Sequence, residues 1–505
     1  MELAVKVSTQ KPKAQLTFDQ KQHQNNKLTA QERLQILFDD NTFVQIDKLV
    51  THRCTNFGLE NKKIDGDGVI TGYGKINGKK VFAYSQNFGV LGGSLGELHA
   101  AKICKVMDLA AQSGCPIIGI NDSGGARIQE GVDALAGYGE IFKRNVAISG
   151  VVPQISLIMG PCAGGAVYSP ALTDFVFMTQ DTSYMFVTGP KVVKTVLQED
   201  LTQEELGGSE IHAKKSGVCD GVFKDDVDLL LGIKKLFRFI PQNNRGKDYA
   251  AVDTEIDRGQ TQWLDRFTPN LSSLPYDVKQ VVSCIIDRDD FFEIGKDFAK
   301  NIVTGFGKIG GINVGIIANQ PLVLAGCLDI NSSRKAARFI RFCDAFNIPI
   351  VTLVDVPGFL PGSSQEQNTI IKHGAKLLYA YAEATVPKVT VILKKAYGGA
   401  YIVMGSKHLG GDINLAWPNA EVAVMGPEAA VEIIFKKELA DPDRVKKLVQ
   451  DYRQKFATPQ VAASRGYIDN IIAPSLTRST VFNALSMLLG KQHNSYWKKH
   501  DNLPL

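Results

Sequence analysis

A stretch near the start of the chain returns 233 residues later. Ile70-Thr71-Gly72-Tyr73-Gly74-Lys75-Ile76 aligns with Val303-Thr304-Gly305-Phe306-Gly307-Lys308-Ile309. The same shift carries Pro116 onto Pro349, Asp122 onto Asp355 and Gly125 onto Gly358. One residue later in register, Val152-Pro153 meets Val386-Pro387 and Gly164-Gly165 meets Gly398-Gly399. Proline and glycine have narrow backbone roles, so their staying in step over this distance marks an internal repeat. The 505 residues leave about 250 for each copy, room for a full domain.

Within each copy the pattern reads as α/β. Val69 to Tyr84 alternates like a pair of strands, with Ile76-Asn77-Gly78-Lys79 as the hairpin turn. Ala100 to Ser113 has helical spacing, and Pro116 to Ile120 and Ile155 to Met159 are continuous apolar runs. Apolar strands without alternation, separated by helices, predict a parallel sheet covered on both faces. Thr29-Ala30-Gln31-Glu32 reads as a capping box opening a helix through Leu37. Residues 1–26 are polar and are expected to be frayed or extended. The first domain is expected over 27–258 and the second over 259–505. Between them, Pro241 to Pro275 lacks periodicity and reads as a linker.

Two glycine-rich turns occupy equivalent places in the repeat, Gly160 to Ala166 and Ala396 to Tyr401. Each follows an apolar strand and precedes a stretch able to start a helix. Such a turn presents bare N–H groups at the positive end of a helix, where a developing negative oxygen can be received. A single turn of this kind reads better as a tight βα connection with glycines chosen for backbone freedom. Two in register point to two oxyanion cradles and two substrates. Neither turn contains His or Glu, and Ser169 has no His or Lys partner in the motif, so a covalent serine mechanism has little support. The base is expected to come from a substrate or cofactor.

Composition narrows the rest. A net charge of +5 without basic stripes argues against nucleic acid as a partner. No apolar run is long enough to span a bilayer, and the first arginine is Arg33, so a cytoplasmic protein is expected. The eight cysteines include no Cys-x-x-Cys pair, and His52 with Cys54 lacks the ligands to complete a metal site, so no metal is expected. Cys162 reads as a small buried residue, and Lys394-Lys395 as solvated.

The loops Asn121 to Gly131, Gly160 to Pro170, Asp355-Val356-Pro357-Gly358-Phe359-Leu360-Pro361-Gly362 and Lys395 to Tyr401 closely resemble those of the carboxyltransferase β subunits of biotin-dependent acyl-CoA carboxylases, nearest the propionyl-CoA type. The likeness runs from about residue 27 to the end. It implies two tandem crotonase-like ββα spiral domains and a homohexamer, with each active site where the N-domain of one subunit faces the C-domain of another. It implies that Gly164 and Gly165 bind the enolate oxygen of an acyl-CoA thioester, and that Gly399 and Ala400 bind the ureido oxygen of carboxybiotin. Biotin N1 would take the α-proton and the enolate would attack the released CO₂. Ser123, Gly124, Gly125 and Ala126 would flank the CoA side, and Val356, Pro357, Gly358 and Phe359 the biotin side.

No Met is followed by Lys, so the biotin attachment signature is absent, and there is no Gly-x-x-x-x-Gly-Lys-Ser/Thr loop. The resemblance therefore implies a partner bearing biotin carboxylase and biotin carrier functions. Propionyl-selective relatives often carry Asp where this chain has Ile402, which leaves the acyl preference open. Ile402 reads equally as a pocket residue or a helix-facing one. A methylmalonyl-CoA decarboxylase α subunit or a transcarboxylase central subunit would share the same loops. A duplicated serine peptidase would need Ser at the Gly-Gly position, and a non-catalytic scaffold would not need both turns intact.

Overall fold

The computed structural model describes residues 13–246, 258–267, 275–288, 291–492 and 496–505. It divides into two compact units, Met1–Asn243 and Asn244–Leu505. Each is built on an eight-stranded sheet. In the first unit the strands are β1 (Val44–Ile46), β2 (Val69–Ile76), β3 (Lys79–Gln86), β4 (Ile117–Ser123), β5 (Gln154–Ala163), β6 (Phe175–Thr179), β7 (Tyr184–Phe186) and β8 (Gly221–Phe223). They lie in the order β1-β2-β3-β4-β5-β6-β8, with β7 beside the far end of β5.

The second unit has β9 (Phe292–Ile294), β10 (Ile302–Ile309), β11 (Ile312–Asn319), β12 (Ile350–Val356), β13 (Lys388–Tyr397), β14 (Ile413–Ala416), β15 (Glu421–Ala423) and β16 (Asn470–Ile471). Their order is β9-β10-β11-β12-β13-β14-β16, with β15 beside β13. The two orders match strand for strand. The repeat in the residues is a repeat of topology.

The hairpins form as their turns dictate. Asn77 and Gly78 both have positive φ (50° and 78°), and so do Gly310 and Gly311 (57° and 78°), as a two-residue hairpin loop of the right twist requires. An aspartate clamps each turn. Asp39 accepts from the amides of Asn77 (3.1 Å) and Gly78 (2.9 Å), and Asp287 accepts from Gly310 (3.0 Å) and Gly311 (2.9 Å). The central strands β4 and β12 are buried along their whole length, and both pair in parallel with neighbours on either side. Ile103, Val106, Met107 and Ala110 bury one face of the helix Glu97–Ser113, which packs against the helix Val132–Ile148.

Three expectations change. The stretch expected to be frayed holds a helix, Lys13–Gln24, and the Phe18 ring lies so close over Gly89 that a Cβ there would sit 2.3 Å from it. One aromatic in a polar helix is too sparse a pattern to read. The aperiodic stretch 241–275 holds the helix Arg258–Phe267, whose Leu264 is buried in the second unit's core; residues 247–257 and 268–274 lie outside the described residues, as do 1–12. Gly160 to Ala163 is not turn but strand, because Pro161 to Ala163 pair in parallel with β7. Gly160 is glycine for packing: a Cβ there would fall 1.9 Å from Asp122 Oδ1.

That aspartate belongs to a buried ion cluster. Arg33, fully buried, donates to Asp122 (3.0 Å), Asp226 (2.8 Å) and the Met159 carbonyl (2.7 Å), and Lys27 pairs with Asp122 at 2.7 Å. The Leu28 amide also donates to Asp226 (3.0 Å). Burial works against the Arg33 charge, but Asp122 and Asp226 outweigh it and hold the guanidinium above its ordinary range. For Lys27, burial wins and its pKa falls. Arg33→Met is expected to destabilise the first unit by about 3–5 kcal/mol, because it removes the cation shared by two buried carboxylates and, among the described residues, leaves Asp226 with only the Leu28 amide and Asp122 with only Lys27. Urea unfolding at fixed protomer concentration checks this, and an unchanged midpoint would contradict it.

Candidate active site

Both glycine turns lie at the C-terminal ends of central parallel strands, where open α/β sheets bind their ligands. The chain leaves β5 at Gly164 (φ 64°) and β13 at Gly398 (φ 58°). Those left-handed steps suit glycine. After them come a 3₁₀ turn, Gly164–Val167, and a short helix, Gly398–Val403. The first N–H groups of such an element have no acceptor within it. In the first unit these include the amides of Gly164 and Gly165, and in the second those of Gly399 and Ala400.

The second loop of each pair lies against the first. Ser123 pairs with Cys162, and a Cβ on Gly125 (φ 104°) would approach the Ala163 carbonyl to 2.9 Å. In the second unit Val356 pairs with Ala396, and Phe359 reaches to 4.0 Å from the Cβ position of Gly399. Ala126 and Phe359 occupy the same place, bridging to Leu95 and Leu328 respectively. The structure therefore brings Gly124, Gly125 and Ala126 to the first turn, and Pro357, Gly358 and Phe359 to the second. Ser123 and Val356 are fully buried strand ends. The Ser123 hydroxyl accepts from the Gly125 amide (3.1 Å), so it shapes the loop from beneath.

What pins these loops differs between copies. Arg127, fully buried, pairs with Asp67 (2.6 Å) and Glu130 (2.7 Å) and donates to the Ser94 carbonyl (3.0 Å). Its counterpart in the second copy is Leu360. Sequence reading passed over Arg127, although the repeat alignment marks it as a charge where the other copy has an apolar residue. In the second unit Asp355 accepts from the Lys395 amide (3.1 Å), and burial raises its pKa. Lys394 and Lys395 are half-buried, not solvated, and burial lowers the Lys394 pKa.

Titratable groups beside the first turn are unsuited to take a proton. Burial raises the pKa of Tyr138, whose ring lies 3.4 Å from the Cβ position of Gly165, and pushes the Cys162 thiol up to about 12. Ser169 donates to Asn145 (2.9 Å). The second turn opens on a cavity of about 720 Å³ lined by Gly398, Gly399, Tyr401, Ile402 and aromatic side chains including Tyr452, Phe456 and Tyr467. Ile402 lines it, 39% exposed. His408 also lines it, edge-on to Tyr401 (5.9 Å between centroids) and to Tyr467 (4.6 Å). Nothing in the turn's own residues signalled that imidazole. A cavity of similar size between the helices Glu97–Ser113 and Val132–Ile148 includes neither turn. Among the described residues, no group of three or more His, Cys, Asp or Glu is arranged to hold a metal.

With this geometry in place, the kinship is plain. Residues 21–503 match the carboxyl transferase domain family, and the chain belongs to it. It is 59% identical over 485 residues to the propionyl-CoA carboxylase beta chain of Roseobacter denitrificans, spanning 96% of this chain and 95% of that one. It is 56% identical over 487 residues to methylmalonyl-CoA decarboxylase subunit alpha of Veillonella parvula, with 96% and 95% covered. A crystal structure of transcarboxylase 12S, described as a hexamer assembly with methylmalonyl-coenzyme A and methylmalonic acid bound, matches with a TM-score of 0.93 at 48% identity, over 97% of this chain and 95% of that one.

Lys102, a buried residue of the helix Glu97–Ser113, carries a pH signature. Its ammonium donates to the Gly66 and Val69 carbonyls (2.7 and 2.5 Å), and burial brings its pKa down to about 8 from 10.5. Between those values the unfolded chain binds more protons than the folded one, so this group's contribution to stability rises with pH. Relative to Lys102→Met, the wild type should gain stability as pH climbs from 8 towards 10.5. Thermal unfolding of both proteins across that window checks the sign, and a flat or falling difference would contradict it.

Proposed function

We propose that this chain is a biotin-dependent acyl-CoA carboxyltransferase. It moves a carboxyl group from carboxybiotin to the α-carbon of a short-chain acyl-CoA, propionyl-CoA giving methylmalonyl-CoA. The observation that carries this reading is the pair of equivalent turns, each leaving a central strand through a positive-φ glycine and presenting first-turn amides. The Gly164 and Gly165 amides would receive the enolate oxygen of the thioester, and the Gly399 and Ala400 amides the ureido oxygen of biotin. A well-aimed donor of this kind is worth about 3–4 kcal/mol to a transition state. Gly124 to Ala126 would border the thioester, with Ser123 holding their loop in shape. Pro357 to Phe359, set on Val356, would border biotin.

The second turn fits a bicyclic, largely apolar ring. A side chain at Gly399 would meet only Phe359 within 4 Å, and the adjoining cavity is lined mostly by carbon. Biotin, carried on a partner with biotin carboxylase function, supplies the carboxyl group and a nitrogen base. This chain's residues bind and orient, which agrees with buried, protonated groups at the first turn. We also propose a homohexamer, as described for the 12S relative. No helix among the described residues is long and apolar enough to cross a membrane. No disulfide joins any of the eight cysteines, which fits a reducing cytoplasm. The decarboxylase and transcarboxylase relatives support a half-reaction that runs in either direction, set by the partner.

Gly165→Val and Gly399→Val should each abolish carboxyl transfer while leaving the oligomer intact by light scattering. Wild-type rates in both would reject the cradles. Acyl preference is tested in reverse, with free biotin as acceptor and methylmalonyl-CoA or malonyl-CoA as donor. Ile402→Asp, which supplies the residue that propionyl-selective relatives often carry at this position, should shift the ranking towards methylmalonyl-CoA. An unaltered ranking would remove Ile402 from selectivity.

A further inference from the structure

β7 and β15 stand outside the main strand order of their sheets, and each lies where a glycine turn begins. Pro161, Cys162 and Ala163 pair with Tyr184, Met185 and Phe186 of β7, and Lys395, Ala396 and Tyr397 pair with Glu421, Val422 and Ala423 of β15. The glycine at positive φ follows at once in both cases, Gly164 and Gly398. The chain leaving β15 then passes close over that glycine, with the Val424 carbonyl 3.1 Å from the Cβ position of Gly398. The direction in which each turn presents its amides therefore depends on a neighbour three residues long. Strands this short, with a full ladder on one side, gain little from pairing alone.

One polar side chain grips each of them. On β15, Arg453 donates through Nε to Glu421 (2.9 Å) and through Nη2 to Glu428 (2.9 Å). The other Glu421 oxygen accepts from the phenol of Tyr397, the residue before Gly398. Burial and the neighbouring Glu421 raise the Tyr397 pKa, which keeps the phenol a donor. Arg453 opens a π-helical turn, Arg453–Ala457, a geometry that recurs at functional positions. Tyr452 and Phe456 line the cavity at the second turn, whereas Arg453, Glu421 and Tyr397 line a separate one.

The grip on β7 is different in kind. His212 Nε2 lies 2.7 Å from the Met185 carbonyl, and Nδ1 lies 2.9 Å from Ser216 Oγ. A carbonyl only accepts, so Nε2 carries a proton and donates. Gly207 closes on the same carbonyl, where a Cβ would fall 2.0 Å away. Met185 in turn pairs with Cys162, just ahead of the first turn.

We propose that Arg453 and His212 are positioning residues, each aiming one glycine turn through the short strand it grips. Neither belongs to a turn. Loss of either grip lets the end of β13 or β5 drift, which spoils the aim of one set of amides and leaves the other turn intact. Aim of this kind is strict, because a displacement of about 1 Å is already costly to a reacting geometry. Which substrate each residue serves rests on reading the first turn as the thioester half and the second as the biotin half.

Two readouts on the full-length protein test this. Kinetics are run with methylmalonyl-CoA as donor and free biotin as acceptor. In Arg453→Met the KM for biotin should rise about fivefold, the weight of one lost neutral hydrogen bond, with the KM for methylmalonyl-CoA unchanged. His212→Phe should show the converse. Arg453→Lys and His212→Gln, which keep a donor, should recover most of each loss. Equal rises in both KM values, no rise in either, or no recovery would overturn the proposal.

Hydrogen exchange across 162–168 and 395–403 needs no turnover. Arg453→Met should speed exchange in the second segment alone, and His212→Phe in the first alone. Exchange unchanged, or faster in both segments, counts against the grips whatever the kinetics show. Selective exchange with the KM effects swapped, or with no turnover in the wild type, keeps the grips and overturns the assignment of the halves. Wild-type turnover with exchange indifferent to both variants keeps the carboxyltransferase and sinks the grips.

Discussion

Each half of this protein depends on how its longest strand ends. A parallel strand must leave its sheet, and here it does so through a glycine at positive φ, Gly164 in one unit and Gly398 in the other. The left-handed step turns the next peptide planes outward, and a short helical turn then begins before the amides find acceptors. A second strand end lies close beside it, so close at Gly125 that a side chain would meet the Ala163 carbonyl. Close packing of two strand ends shapes each turn. Main-chain amides fixed by a sheet are the kind of donor that costs little reorganisation when charge develops nearby.

Much of this was legible in the residues. The repeat, the Asn77-Gly78 hairpin, the Thr29 capping box and the buried runs of β4 and β5 are all local signals, and each is present in the fold. What escaped reading is non-local. β7 and β15 are three-residue strands that exist only because β5 and β13 run past their neighbours. The partners of Arg33 lie 89 and 193 residues away, a distance over which no pattern is visible. Ser123 sits within a motif that invites a ligand role, yet its hydroxyl is spent on the Gly125 amide. His408 reaches its cavity from beyond the turn, carried by the packing of Tyr401 and Tyr467.

The copies share a scaffold but hold their loops by different means. In the first, a buried arginine and two carboxylates lock the segment after β4. In the second, the Phe359 ring lies against Gly374 and the Gly399 position, and the connection before β10 is short. Charge-locked and grease-locked loops respond differently to pH and salt. The loops of two copies of one fold can thus be tuned separately without altering the frame that carries them.

The Asp226 carboxylate has one more implication. It takes the Leu28 amide as well as Arg33, so residues near the opening of the first unit touch residues near its close. A module whose entrance and exit are neighbours can be copied end to end without unravelling either copy or stretching the join. Tandem descent was therefore open to this architecture from the start, as it is not to a domain whose ends lie on opposite sides.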